Sequence, residues 1–444
     1  MSYRILCLIF LFLLNTVSTA NEDQFDTERL PIGNPETKYN YCAVKLDRIF
    51  DTNANTEVTL EQLIERFNKF RIIMLGESHT NELHHEMQLN IIKGLFGAGL
   101  KICLALEMFN ESQDAVLDDY IYGKITEEEF LDQSDYFNTW GHNYRYYKPI
   151  FNFARENKIR IFGINIKHEY ASKIGSQGIS SLSPAEKQAI PGIDTTDIEH
   201  RFYIKTAMEG MDALSPGQFS KIYAAQCLWD AAMGDGAIKV AKENPESTII
   251  ILAGSGHVAY NLGIGRIIKK RSDLTFSSVI AIDVPDTIKE SAMMKVKTSL
   301  KKEKKEEDEK KSEKEKKMPP MAMMHGSGAM GTTPYKIVVR SLADFLWGVH
   351  QEKQEKYPSF GFSIEEKNGQ GFMVKRVIPE TIAEEKGIRK GDVIISIDDK
   401  SFPDMAKLKK YLSFKDWNEN ISFKILRDSK EIEIKFLIEP NENQ

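Results

Sequence analysis

Short, almost unbroken apolar runs alternate along this chain with longer stretches in which apolar residues recur every three or four positions. The runs are Arg71–Leu75, Lys101–Met108, Ile159–Ile166, Ser247–Ala253 and Ser277–Asp283. Runs of this length without polar alternation predict strands buried on both faces. Between them a helical period predicts helices near 81–96, 114–122, 126–133, 145–157, 197–212, 216–243 and 260–270. Strands separated by helices, with no hairpin turns between them, imply α/β architecture: a mainly parallel sheet covered by helices on both faces. Residues 21–60 are polar and mixed, and Pro31, Gly33 and Pro35 read as an irregular approach to the first strand.

The pattern breaks at about 297. Lys301–Lys317 contains nine lysines, seven acidic residues and one serine, a composition with nothing to bury. Met318, Met321, Met323, Met324, His325 and Met330 follow, soft donors of a kind that suits Cu(I). The charged, Met-rich stretch 297–334 is expected to be disordered. Order resumes with Lys336–Arg340 and Leu342–Val349. A last segment, 357–439, has its own logic: strands at Phe372–Val377, Val393–Ile397, Ile421–Leu426 and Glu431–Ile438, and a helix at Asp404–Phe414. Met405, Leu408, Tyr411 and Leu412 share one face of that helix. About 80 residues of this kind predict a small β-rich domain.

At the other end, Met1–Arg4 carries one positive charge, Ile5–Leu14 is apolar and Ser18-Thr19-Ala20 is small, the three parts of a secretory signal over residues 1–20. Ten apolar residues are too few to span a bilayer. The chain is therefore expected to be exported, to the periplasm or outer envelope of a bacterium. The 444 residues carry a formal charge of −6, which argues against holding nucleic acid by bulk charge. Four cysteines without C-x-x-C spacing exclude a disulfide scaffold and a zinc ribbon.

Ligands of parallel sheets collect beyond the carboxyl ends of the strands. Here those ends read Gly76-Glu77-Ser78-His79, Glu107-Met108-Phe109-Asn110, Asn165-Ile166-Lys167-His168 and Gly254-Ser255-Gly256-His257. Two Gly-x-x-His motifs at matching positions, with Glu77 and Glu107, suit an acid–base set. They equally suit a divalent metal held by His79, Glu107 and His257. Glu77, His79, Glu107 and His257 are thus the candidate catalytic residues. His84 lies at the edge of the apolar face of the next helix, and His85 is expected to point largely away. The segment Trp140-Gly141-His142-Asn143-Tyr144-Arg145-Tyr146-Tyr147 is aromatic enough to wall a flat ligand. No nucleophile elbow, Walker loop or His-Glu-x-x-His is present.

The Gly76–His79 motif, Trp140…Tyr147-Lys148-Pro149, Ala225-Gln226…Asp230…Met233, Ala253–Val258 with Gly263-Ile264-Gly265, and Ala343-Asp344-Phe345-Leu346-Trp347 together resemble the ChaN-type haem-binding uptake family. That family is kin to the Tiki proteases and erythromycin esterases. The resemblance covers 42–349 and makes 297–334 an insertion within that domain. It implies haem as ligand in haem or iron uptake, bound through a tyrosine assisted by histidine, with a homodimer or a membrane-associated complex as the setting. His79, His257, Tyr144, Tyr146, Tyr147 and Tyr260 are the haem-binding candidates, Tyr260 following the second motif most closely. The kinship keeps open a metal-dependent hydrolase using His79, Glu107 and His257.

Pro379-x-x-Ile382-Ala383-x-x-x-Gly387-Ile388-x-x-Gly391-Asp392-Val393-Ile394 resembles the PDZ domain of bacterial exported proteases. The resemblance makes Phe360-Gly361-Phe362 the loop for a peptide C-terminus. The bound strand would lie beside Phe362–Ile364, and its last side chain would rest against Met405 and Leu408. No Ser/His/Asp protease domain accompanies it.

Overall fold

A computed structural model describes residues 26–208, 210–287, 333–367, 369 and 371–440. The expected signal segment, and the expected insertion up to residue 332 with its methionines and His325, lie outside the described residues. Ten strands belong to the first domain: β1 Tyr41–Lys45, β2 Ile49–Asp51, β3 Thr56–Val58, β4 Ile72–Glu77, β5 Ile102–Asn110, β6 Ile161–Asn165, β7 Thr248–Gly254, β8 Phe276–Val284, β9 Tyr335–Val339 and β10 Phe345–His350. Eight form one sheet in the order β3-β2-β10-β8-β4-β7-β5-β6. From β10 to β6 every pairing is parallel; β2 and β3 add an antiparallel edge.

Every residue of β4 and β7 is buried, because their side chains enter two cores in alternation. Ile72, Met74, Ile249 and Ile251 face one core with Tyr223, Cys227, Met233 and Ile268. Ile73, Leu75, Ile250 and Leu252 face the other with Leu63, Ile91, Leu95 and Phe151. The α/β reading, with helices on both faces, holds. Pro31, Gly33 and Pro35 do lie in irregular chain, but three unexpected strands follow before residue 60: β1, β2 and β3, of which β1 pairs with β9 in a separate two-stranded sheet. The Ala-Asp-aromatic segment becomes β10, inserted between β2 and β8.

The C-terminal domain is one antiparallel sheet, β11 Phe362–Glu366, β12 Phe372–Val377, β13 Val393–Ile397, β14 Asn420–Arg427 and β15 Lys430–Leu437, in that order. Its core gathers Ile388, Ile394, Ile397, Leu408, Leu412 and Phe423. Asp392 anchors the β13 turn, accepting two hydrogen bonds of 2.7 Å from Arg427 and one of 2.7 Å from the Arg389 amide. No helix among the described residues is long and apolar enough to cross a membrane.

Candidate functional site

Parallel register brings the ends of β4, β7 and β5 to one edge, with Glu77 opposite Gly254 and Leu106 opposite Leu252. The chain then turns into a short helix, Ser255–Val258, which carries His257 back over that edge. His79, Glu107 and His257 converge there, all buried. Glu107 accepts the Gly254 amide at 2.6 Å through Oε2 and stands 3.3 Å from His257 Nε2 through Oε1. A Cβ added to Gly254 would lie 3.0 Å from His79 Cε1, 3.3 Å from His79 Nε2 and 3.7 Å from Glu107 Oε2. Glycine at 254 is what lets the imidazole of His79 approach the strand end.

Each histidine is backed by a carboxylate. His79 Nδ1 donates to Glu77 Oε1 at 2.7 Å, which leaves Nε2 on the Gly254 side. His257 Nδ1 donates to Asp230 Oδ1 at 2.7 Å. The long helix Pro216–Glu243 supplies Asp230 together with Gln226, one turn earlier on the same face, and the Gln226 amide closes on His257 at 3.0 Å. Behind Asp230, its Oδ2 faces His200 Nε2 at 3.3 Å, and His200 Nδ1 meets the Tyr223 hydroxyl at 3.2 Å. His200 and Asp230 are wholly buried.

Burial opposes every charge in this cluster, and the opposite charges alongside overcome it. Glu107 and Asp230 lift the His257 imidazole to about 10 against burial. Glu77 raises His79 against the same penalty. His79 and His85 hold Glu77 down to about 2 despite burial, and His257 holds Glu107 low. At neutral pH the edge therefore carries the His257 imidazolium beside Glu107, while Glu77 favours the charged form of His79.

A second wall is aromatic. The helix Tyr144–Glu156 and the turn before it set Trp140 and His142 against His79, with ring centres 4.8 and 4.4 Å away. Trp140 Nε1 and His142 Nε2 are buried without a hydrogen-bond partner. Burial and the neighbouring His79 push His142 well below the ordinary histidine range, so its ring is neutral and offers a lone pair.

Of the four candidate tyrosines, Tyr147 reaches this site, donating to Glu77 Oε1 at 3.1 Å. Tyr144 packs among Tyr136 and Phe151. Tyr146 lies edge-on to Tyr357 at 4.9 Å. Tyr260 turns away from His257, donating to the Thr27 carbonyl at 2.6 Å and accepting the Leu30 amide at 3.1 Å. Burial raises all four phenols, so none is an easy phenolate. The expectation for His85 is corrected: it is buried, 3.4 Å from Glu77 Oε2 and bonded to Gln88 at 3.0 Å. His84 is also buried, accepting the Ser78 amide and facing Asp283.

His79, Glu107 and His257 come together, but both nitrogens of His257 are turned to carboxylates. No group of three or more His, Cys, Asp or Glu side chains among the described residues is arranged to hold a metal ion. The donor set suits proton transfer better than a metal cage.

In the second domain β11 is an edge strand, paired to β12 alone. Phe360 is buried just before it, and Gly361 takes φ +72° where a Cβ would overlap the Thr381 side chain. The helix Met405–Ser413 buries Leu408 and half-buries Met405. The open edge of β11 provides the backbone groups that an added peptide strand needs.

Comparison with known proteins gives two matched families. Residues 63–268 match the family described as haem-binding uptake, Tiki superfamily, ChaN, and residues 358–438 match the PDZ domain. A putative serine protease, HhoA of Synechocystis sp., is 30% identical over 114 residues, 26% of this chain. The chain spans only 28% of that relative's length. Among solved structures, one described as cofacial heme binding to ChaN of Campylobacter jejuni is 22% identical, covering 53% of this chain and 90% of that one with a TM-score of 0.45. An erythromycin esterase mutant in its open conformation is 12% identical, covering 56% and 78%, with a TM-score of 0.33. Residues 63–268 thus form a ChaN-like domain, and residues 358–438 a PDZ domain.

Proposed function

We propose that this chain is an exported haem-binding protein of haem or iron uptake, whose PDZ domain recruits a partner through its C-terminal peptide. The observation that carries the haem reading is the neutral His142, with Nε2 buried and unpartnered, held 4.4 Å from His79 beside Trp140. A free imidazole nitrogen among aromatic rings suits ferric porphyrin, which needs an axial donor and flat walls. Histidine fits that role here better than the tyrosines, whose hydroxyls are buried and hard to ionise. Haem would then lie against Trp140 and Tyr147, with His79 at its edge.

Haemin titration of residues 21–444 tests this reading. A saturable Soret shift that His142→Ala weakens and Tyr260→Phe leaves intact supports it. A flat titration overturns it.

A second reading rests on a different observation: Glu107 lies between two carboxylate-backed histidines. That arrangement suits hydrolysis, with Glu107 taking a proton from water and His257 or His79 giving one to the leaving group. Turnover of an ester or peptide panel, abolished by Glu107→Gln, would favour it over haem carriage.

A further inference from the structure

The PDZ domain grips the segment that carries the aromatic wall. Its helix Met405–Ser413 packs on the short helix Tyr136–Thr139, which runs straight into Trp140. Ala406 rests against the apolar core that holds Phe137, Trp140 and Tyr146. Beside it, Lys407 pairs with Asp132 at 2.5 Å, and Lys410 reaches Glu128 at 3.1 Å and Asp132 at 3.2 Å. Just past His142, the Asn143 amide donates to the Ser413 carbonyl at 2.8 Å. Arg145 donates to the Lys415 carbonyl at 2.7 Å and to Asp416 at 2.6 Å. The grip therefore falls on both sides of Trp140 and His142 in the chain.

A second thread runs from the same joint to the acid behind His79. Arg145 stacks 3.8 Å from the Tyr357 ring, and Tyr357 meets Tyr146 edge-on at 4.9 Å. Tyr146 lies 5.9 Å from the His85 ring, and His85 stands 3.4 Å from Glu77. The helix Met405–Ser413 is also one side of the expected peptide groove, and every residue of it is buried or half-buried. Leu408 and Leu412 face the PDZ core, while Ala406, Lys407 and Lys410 are taken up by the first domain. Leu408 is wholly buried. A peptide whose last side chain rests on Met405 and Leu408 must therefore part this helix from β11. Close-packed surfaces take in an added side chain by shifting, and the far side of the helix is clamped to the wall segment.

We propose that peptide capture by the PDZ domain loosens the Trp140–His142 wall, so that docking on a partner releases the ligand of the first domain. The proposal rests on the peptide-binding reading given above and adds to it the regulation of the first domain's site. The coupling is reciprocal: a ligand that needs the closed wall holds the joint shut and weakens peptide binding by the same factor.

The test uses residues 21–444, isotope-labelled at the tryptophan indoles, with the Trp140 resonance assigned by its loss in Trp140→Phe. Short fluorescent peptides ending in Val, Leu or Phe are titrated in. Anisotropy reads peptide binding, and the Trp140 indole, buried without a hydrogen-bond partner, reads the wall. The resonance should move with the midpoint of the anisotropy. It should move toward the position it holds, without peptide, in the Lys407→Glu/Lys410→Glu variant, whose joint is opened by repulsion. That variant should bind peptide at least about fivefold more tightly, and adding Glu128→Lys and Asp132→Lys should reverse the gain. Saturating anisotropy with an unmoved Trp140 overturns the proposal and leaves the peptide-binding reading intact. Flat anisotropy with every peptide, in wild type and in the opened variant, overturns both. Where haemin binds, saturating peptide should weaken it by the factor gained in the opened variant, and an equal haemin affinity overturns the coupling. A flat haemin titration removes the haem reading alone, and the Trp140 resonance still decides.

Discussion

The carboxylate of Asp230 stands 2.7 Å from Nδ1 of His257 and is wholly removed from solvent. One helix residue thus orients the second motif's histidine and adds to the charge that Glu107 favours. Asp230→Asn leaves the shape and takes away the charge, stranding a buried imidazolium. The expected loss is about 3 kcal/mol of unfolding free energy, with a fall in the His257 pKa. Urea titration and histidine NMR read the two effects separately, and an unchanged pKa would remove Asp230 from the site.

The same network makes stability depend on pH in a defined direction. His257 titrates near 10 when folded and near 6.5 in a free chain, so folding binds its proton more tightly. Its contribution is complete below pH 6.5 and is lost as pH rises through 10. Glu77, held near 2 against 4.5, acts in the opposite sense: its contribution is complete above pH 4.5 and is lost as pH falls through 2. Unfolding midpoints at pH 6, 8 and 9.5 should fall steadily, and His257→Gln should flatten that slope.

Gly254→Ala tests the close approach at the strand end. Its Cβ would press on His79 at 3.0 Å, while its backbone angles suit any residue. The cost in stability is about 1 kcal/mol, but His79 must shift by a few tenths of an ångström. Haemin affinity should drop more than stability does. A variant with normal affinity would place the ligand elsewhere.

In the PDZ domain, Gly361→Val combines a forbidden backbone angle with a clash on Thr381. About 2 kcal/mol of local destabilisation is expected, with loss of binding to peptides ending in an apolar carboxyl-terminal residue. Fluorescence anisotropy with labelled peptides measures this directly.

The central strands are legible in the sequence because residues buried on both faces leave no polar interruption. β1 is not, because only Cys42 and Val44 of its five residues are buried and its partner β9 comes some 290 residues later. The Gly-x-x-His motifs are legible because glycine and histidine sit at matching strand ends. His85 is misread because periodicity marks the apolar face of a helix and is blind to a carboxylate waiting opposite. Tyr260 follows His257 closely in sequence, yet the left-handed backbone at Tyr260 and Asn261 sends its phenol to the N-terminal segment. Asp230 is legible only as part of the Ala225-Gln226…Asp230…Met233 segment that carries the family resemblance. His200 had no signal.

The insertion of β10 between β2 and β8 has a kinetic side. Thr52 Oγ1 donates to the Ala343 carbonyl across 291 residues of chain. The β2–β3 hairpin has no further strand to pair with until β10, ending at His350, has been synthesised. Until then β8 offers a bare parallel edge, and the sheet is open where β10 belongs. A chain interrupted between β8 and β10 keeps the residues of its site but lacks the strand that pairs with β8. Such contacts, far apart in sequence, slow folding and prolong exposure of strand edges. The domain therefore commits late, at nearly the moment the PDZ domain begins to appear.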